Sequence, residues 1–385
     1  MADGAPFELV ISRIDGLSAV DRDAWDALAN PPDAPFDPFV SWDFLEALEA
    51  SGCASADEGW RPAHLIAEVD GRLVGAAPGY IKNHSYGEYV FDHAWADAFR
   101  RAGGRYYPKL QVSVPFTPVP GRRLLARDPA VRGALAAALG EVADRSGLSS
   151  VHATFLSEVD RRTFAESGWL MRSDTQFHFQ NKGYRDFSDV LVALSSDKRK
   201  SLRKERAKAQ EGVEIVRLTG ADLTEDAWDA FFACYIDTSN RKWGSPYLNR
   251  AFFRLIGERM ADRIVLIMAR ENRRWIAAAL NFVGDEALYG RHWGRLEDRP
   301  FLHFELCYYQ AIDEALERGL SRVEAGAQGG HKLARGYEPV ATWSAHHIAH
   351  PGLRTAVAQY LEQERRAVAR DQQALSQMTP FRRED

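Results

Sequence analysis

Apolar and polar positions follow a recurring order along the chain, and that order predicts most of the elements. FELVISRI (7 to 14) reads as a first strand, followed by two short helices, DRDAWDALA and SWDFLEALEASG. The second helix opens at Ser41 and carries Phe44, Leu45 and Leu48 on one face. HLIAEVDGRLVGAAPGYIK (64 to 82) holds two apolar runs joined at Asp70-Gly71, a dipeptide that accepts the positive φ of a tight type I′ turn, so a hairpin is predicted. VLIMARENRRWIAAALNFVG (265 to 284) repeats the unit. It sets Leu266, Ile267 and Ala269 against Leu65, Ile66 and Ala67, and Ile276-Ala277-Ala278 against Val74-Gly75-Ala76.

The segments downstream of the two hairpins repeat as well. PAVRGALAAALGEVADRSG precedes LSSVHATF, and FLHFELCYYQAIDEALERG precedes LSRVEAGA. Each pair predicts a long helix stopped at glycine (Gly147, Gly319) and then a strand. The chain therefore reads as a tandem duplication of a hairpin, helix and strand. The first copy is longer between hairpin and helix by an aromatic-rich segment, 93 to 121, and inserted loops on a repeated scaffold are where sites are built. Between the copies lies a predicted basic helix, with seven basic and two acidic residues over 195 to 209. A last long helix is predicted from Gly352 to Ser376.

Length agrees with two domains: 385 residues exceed a single core, and the duplication sets the expected bounds at 1–190 and 191–385. The fold class expected is α/β (α+β). A composition of 45% hydrophobic and 27% charged residues excludes extended disorder, while the 11% aromatic content is high and concentrated in a few segments. A net charge of −5 argues against a protein that coats DNA. Cys53, Cys234 and Cys307 lie far apart with no CxxC pair, which speaks against disulfides or a zinc ribbon and for a reducing cytoplasm. No signal peptide or transmembrane segment is predicted.

Several segments resemble a known family. DKRKSLRKERAKAQEGVEI (197 to 215), GAQGGHKLARGYEP (326 to 339), SYGEYVFDHAWADA (85 to 98), RYYPKLQVSVPFTPV (105 to 119), RKWGSPYL (241 to 248), YGRHWG (289 to 294) and PFLHFE (300 to 305) are similar to the FemAB-like branch of the GNAT acyltransferase superfamily, within a bacterial group of peptidoglycan biosynthesis or recognition proteins. The resemblance implies two tandem GNAT-like modules, each a mixed, mostly antiparallel sheet flanked by helices. It also implies a cytoplasmic transferase that moves an acyl or aminoacyl group onto an amine of a peptidoglycan precursor. One departure matters. The helix starts ARDPAVRGALAAAL and DRPFLHFELCYY lack the paired glycines that bring backbone N–H groups to a CoA pyrophosphate. No covalently bound cofactor is expected, and the donor stays open between aminoacyl-tRNA and acyl-CoA.

Candidate residues emerge from their positions. Glu305 shares a helix face with Tyr309, Ile312 and Leu316, so a partly desolvated carboxylate can serve there as a general base, or equally as a structural group. His303 is the second catalytic candidate. Arg291, on the preceding strand, can orient an anion or pair with Glu305. Lys332 and Arg335, with Gln328, lie in a glycine-rich loop suited to an anion, or are plain surface charges. Tyr86, Glu88, Asp92, Trp95 and Asp97, joined by Tyr107 and Lys109, suggest an aromatic and acidic substrate wall. Arg241, Lys242 and Trp243 pair cations with a ring. Lys198, Arg199 and Arg203 are expected to meet tRNA phosphates or a peripheral membrane surface, unless the helix is merely solvated. His346, His347 and His350 are read as a chance cluster, so no metal is expected. A non-catalytic precursor-binding module is the standing alternative to a transferase.

Overall fold

The computed structural model describes residues 8–242, 246–326 and 329–382. Trp243, Gln328 and the side chain of Lys242 lie outside the described residues. The chain forms two compact units. One runs through Asp174 and takes in Thr342–Ala369; the other is Thr175–Ala341 with the chain from Arg370 onward. The strand Tyr337–Ile348 and the helix Pro351–Gln377 each begin in one unit's stretch of chain and end in the other's, so the units do not track sequence order as simply as two consecutive copies would.

In the first unit the hairpin His64–Val69 and Arg72–Ala77 pairs with Leu9–Ile14 on one side and Leu125–Ala126 on the other, all antiparallel. Its turn has Asp70 at φ 51° and Gly71 at φ 72°, the type I′ geometry that matches strand twist. The helix Pro129–Ser146 starts with proline at its first position and Asp128 accepting from the Ala130 N–H, and stops at Gly147 with φ 67°. It buries Val131, Leu135, Leu139 and Ala143 in one core with Leu65, Ala67 and Ala77. The approach is close: a Cβ on Gly75 would sit 2.6 Å from Val131 Cγ1. A second set of strands runs Trp60–Pro62, Gly79–Lys82, Lys109–Val112, Ser150–Thr154 and then Ser344–Ile348, antiparallel except for the parallel pair Leu110–Val112 with Val151–Ala153.

The second unit repeats the hairpin as Ile264–Glu271 and Arg274–Val283, again with two positive-φ turn residues, Asn272 and Arg273. Both hairpins carry a bulge at the same place. The register slips after Ala67 and skips Val74; it slips after Ala269 and skips Ile276, an offset of 202 for either residue (269 − 67, 276 − 74). Glu214–Leu218 pairs with the first strand of this hairpin and Ala287–Arg295 with the second, both antiparallel. Arg322–Glu324 lies parallel to Ala287–Tyr289, and its other edge pairs with His178–Gln180. The helix predicted over 302 to 318 is interrupted: a helical turn at Leu302–Phe304 is followed by a π-helical turn at Glu305–Tyr309, and only Gln310–Glu317 is regular. Gly319, at φ 70°, ends it.

Among the described residues no helix is long and apolar enough to cross a membrane. No group of three His, Cys, Asp or Glu side chains among them is placed to hold a metal. Cys53 and Cys234 are buried and Cys307 is half-buried, and none of the three is in a disulfide.

Candidate functional site

The strands of the first unit have two unlike faces. Leu110, Val112, Val151 and Ala153 enter the apolar core, whereas Lys82, Lys109, His152 and His346 face the other way and are equally buried. Lys82 stands directly opposite Lys109 across a strand pair, an arrangement that is destabilising unless compensated. The compensation comes from the segment after the hairpin. Lys109 Nζ donates to Ser85 Oγ (2.9 Å), Glu88 Oε2 (2.7 Å) and Asp92 Oδ2 (2.5 Å). Asp92 Oδ2 also accepts from the Tyr106 hydroxyl at 2.6 Å, and Tyr107 and Ser85 share a hydrogen bond of 2.8 Å. Burial pushes the Glu88 carboxyl up to about 7, against the pull of Lys109. Lys109 and His152 hold Asp92 well below the usual carboxylate range despite its burial. Burial lowers Lys82 to about 7; its ammonium lies 3.6 Å above the Trp60 ring.

Of the residues expected as a substrate wall, Glu88, Asp92 and Lys109 thus come together as an internal ionic staple. Trp95 is buried against His346, with ring centroids 5.0 Å apart. Tyr86 and Asp97 are exposed, and Tyr107 is half-buried.

In the second unit, the strand Ala287–Arg295 is held against the helix Glu225–Lys242 by a glycine. A Cβ on Gly294 would lie 2.1 Å from the Cys234 carbonyl oxygen, so only glycine allows this approach. The contact sets a cavity of about 270 Å³, lined by Thr238, Arg241, Trp293, Arg295 and His303. His303 is half-buried, with its ring 5.1 Å from Trp293, 5.5 Å from Tyr308 and 6.4 Å from His331. The Tyr308 hydroxyl and His331 Nε2 are 2.8 Å apart. Arg291 is the residue skipped by a bulge between Leu280 and Asn281.

Glu305 takes a different place. It is fully buried: Oε1 accepts from Arg206, Gln210 and Gln310 at 2.8 to 2.9 Å, and Oε2 from Arg206 at 3.2 Å. Arg206 comes from the basic helix Ser196–Ala209 and also binds Asp313 at 2.6 Å. A carboxylate so fully engaged suits the structural reading. Lys332 is buried and donates to the Gly326 carbonyl at 2.8 Å, cinching its loop, with its ammonium lowered to about 8 by burial. Arg335 is stacked 3.4 Å from the Phe304 ring centre and binds Glu205 at 2.9 Å. On the basic helix, Arg199 donates to the Leu194 carbonyl, while Lys198, Lys200, Arg203 and Lys204 are exposed and have no ion-pair partner among the described residues.

Thr238, Arg295, Tyr308 and His331 were not singled out in the sequence, nor were Ser85, Lys82, Tyr106 and His152. The one sequence signal for the cavity residues is proximity to YGRHWG and RKWG. His152 and His346, 194 positions apart, gave none.

A model of the FemAB-like family, described as peptidoglycan biosynthesis/recognition, matches residues 16–383. No curated protein matches the chain. The crystal structure of FemX superposes with a TM-score of 0.54, covering 91% of this chain and 100% of that one at 10% identity. L-PGS from Bacillus licheniformis gives 0.50, covering 84% and 97% at 11% identity. A tandem GNAT protein from the clavulanic acid biosynthesis pathway gives 0.48, covering 89% and 99% at 13% identity. These likenesses concern the fold. With the internal duplication, the chain is two GNAT-like modules in tandem.

Proposed function

Since the chain belongs to the FemAB-like family of peptidoglycan biosynthesis and recognition proteins, we propose that it transfers an aminoacyl or acyl group to an amine of a cell-wall precursor, in the cytoplasm. The observation that carries this reading is the divergent strand of the second unit. Ala287–Tyr289 pairs with Arg322–Glu324 over three residue pairs and then parts from it. Among the described residues the strand from Gly290 onward is paired with another strand along one edge, and the cavity with His303 opens near its end. Backbone N–H groups along such an edge can hold an extended acyl chain and stabilise the charge that develops on an attacked carbonyl oxygen.

In this scheme the acceptor amine attacks the donor's ester carbonyl while His303 takes the amine proton. The C–O bond of the donor then breaks, and its hydroxyl leaves with a proton. Arg241 and Arg295 line the same cavity, paired with Asp237 and Asp298, and a carboxylate or phosphate of either substrate would take over those pairings.

The donor that fits better is an aminoacyl-tRNA. The helical turn that begins at Leu302 is preceded by Pro300 and by Phe301, which is exposed and holds φ 63°, a bulky approach without the glycines that let a backbone reach a CoA pyrophosphate. The unpaired cations Lys198, Lys200, Arg203 and Lys204 suit a phosphate backbone.

The test incubates the protein with a precursor extract and either acetyl-CoA or charged tRNA, and monitors precursor mass. A shift of one aminoacyl unit that disappears in His303→Ala but persists within about tenfold in Glu305→Gln is expected. If no donor produces a shift while precursor binding is retained, the chain is a recognition module instead.

A further inference from the structure

The ionic staple of the first unit holds up a segment that exposes aromatic rings. Glu88 and Asp92 both reach inward to Lys109, and Ser85 joins them. Tyr86 and Phe91, from the same segment, remain 63% and 57% exposed, among the most exposed large apolar side chains described. With His84 and His93 they form a continuous row. Ring centroids are 5.1 Å apart from His84 to Tyr86 and 6.3 Å from Tyr86 to His93, both pairs tilted by 53°, and 6.1 Å from His93 to Phe91, which lie at 26°.

We propose that this row is a platform for an uncharged oligosaccharide of N-acetylated amino sugars, bound by stacking of pyranose faces on successive rings. Three observations support it. Rings in series, each turned by 26° to 53° from the next, match a ligand that repeats along its length with a twist, and each gap is of the order of one sugar ring. The support is preorganised, which lowers the ordering cost of binding: His84 is fixed to the Glu58 carbonyl at 3.0 Å, and Gly87 rests so close to Phe116 that a Cβ there would lie 2.6 Å from its ring. The cations that touch the row are already engaged. Lys82 is buried beneath it, Arg172 donates to the Phe91 carbonyl while paired with Glu364 at 2.7 Å, and Arg100 pairs with Asp97 at 2.9 Å. A neutral ligand fits such a surface better than an anionic membrane. Asp97, one turn beyond His93 on the helix His93–Arg101, offers a carboxylate to sugar hydroxyls.

The choice of amino sugar rests on the proposed cell-wall role; the platform does not. The test is direct binding by calorimetry, with N-acetylglucosamine and its oligomers up to the tetramer as probes, and needs no donor or turnover. Failure of transfer therefore leaves a binding result standing, and failure of binding leaves the transfer reading standing. Affinity is expected to rise with oligomer length and to fall about tenfold or more in the double variant Tyr86→Ala, Phe91→Ala. Both side chains are exposed, so the variant keeps its unfolding midpoint. Binding without length dependence, binding unchanged in the double variant, or no binding at millimolar tetramer overturns the proposal. So does binding to phosphatidylglycerol vesicles that the same two substitutions abolish, since the row would then serve a membrane.

Discussion

Lowering the pH should cost this protein stability through one buried histidine, by an amount the structure allows to be worked out. His152 lies in the strand Ser150–Thr154 opposite His346, with their Nδ1 atoms 2.6 Å apart and Ser150 Oγ 2.8 Å from its Nε2. Burial, reinforced by the charge of Lys109, pushes His152 down from 6.5 to about 3. The folded chain therefore keeps it neutral while the unfolded chain protonates it near 6.5, so its contribution is complete above pH 6.5 and is lost progressively as pH falls toward 3. Between pH 7.5 and pH 5 that loss is about 2 kcal/mol, at about 1.4 kcal/mol per pH unit below 6.5. Other groups act in the same window. His346 is pushed down as well, by burial, and adds the same sign. Glu88, raised to about 7, has the opposite sign, because between about 7 and 4.5 the folded state holds a proton that the unfolded state releases. Lys82 contributes a slope only above about 7. The wild-type curve thus mixes opposed terms, and the measurement is a difference: urea unfolding of wild type and His152→Gln across pH 5 to 7.5. The wild type should lose about 2 kcal/mol more than the variant on going to pH 5. Parallel curves would refute the reasoning, since they would mean that His152 titrates alike in both states.

Three other substitutions test the remaining elements. Lys109→Met leaves Glu88 and Asp92 buried without their cation and should destabilise by ~3–5 kcal/mol in urea unfolding at neutral pH; a loss below ~1 kcal/mol would show that the carboxylates are protonated or solvated instead. Gly294→Ala drives a methyl group onto the Cys234 backbone and should cost ~1–3 kcal/mol and depress transfer, whereas the neighbouring solvent-side change Leu296→Ala should do neither. Arg206→Met removes the partner of Glu305 and Asp313; because Arg206 is 17% exposed, a loss of ~2–3 kcal/mol is expected, against no measurable change for Lys198→Met.

The duplication was readable because it rests on local signals. The Asp70-Gly71 turn, two glycine stops and two matching apolar runs need no knowledge of distant partners, and the shared bulge only fixes the offset at 202. The π-helical turn at Glu305–Tyr309 was not readable. A regular helix was the natural expectation for that segment, and Arg206 and Gln210, which bind Glu305, lie about a hundred residues earlier. The substrate wall shows a subtler limit. KLQV and SVHAT alternate as a sheet with one watered face would, yet both faces are buried, because the segment 84–101 and the last helix cover the polar one. Sequence located the cluster of carboxylates and rings but gave no sign of which would point inward. Glu88 and Asp92 turned toward Lys109 and Trp95 packed inward, while Tyr86, Phe91 and Asp97 stayed outside.

That inversion separates the roles of the two modules. In the second unit the strand Ala287–Arg295 leaves its parallel partner after Tyr289 and, among the described residues, runs on with one edge not paired by strand, where the Thr238 and Arg241 side chains satisfy the Arg295 N–H and carbonyl. In the first unit the comparable parallel pair ends at Val112, and the chain continues as Ser113–Val119, buried throughout, with Val114, Phe116 and Val119 in the interior. The first copy has thus packed the region that the second keeps open, and it has raised a row of rings on a charged foundation instead. On the proposed reading, the open edge of the second copy is the place for an acyl chain and the first copy is left for recognition. Damage at Gly294 should then spare saccharide binding, and loss of Tyr86 and Phe91 should spare the chemistry at His303 while weakening the hold on a glycan acceptor.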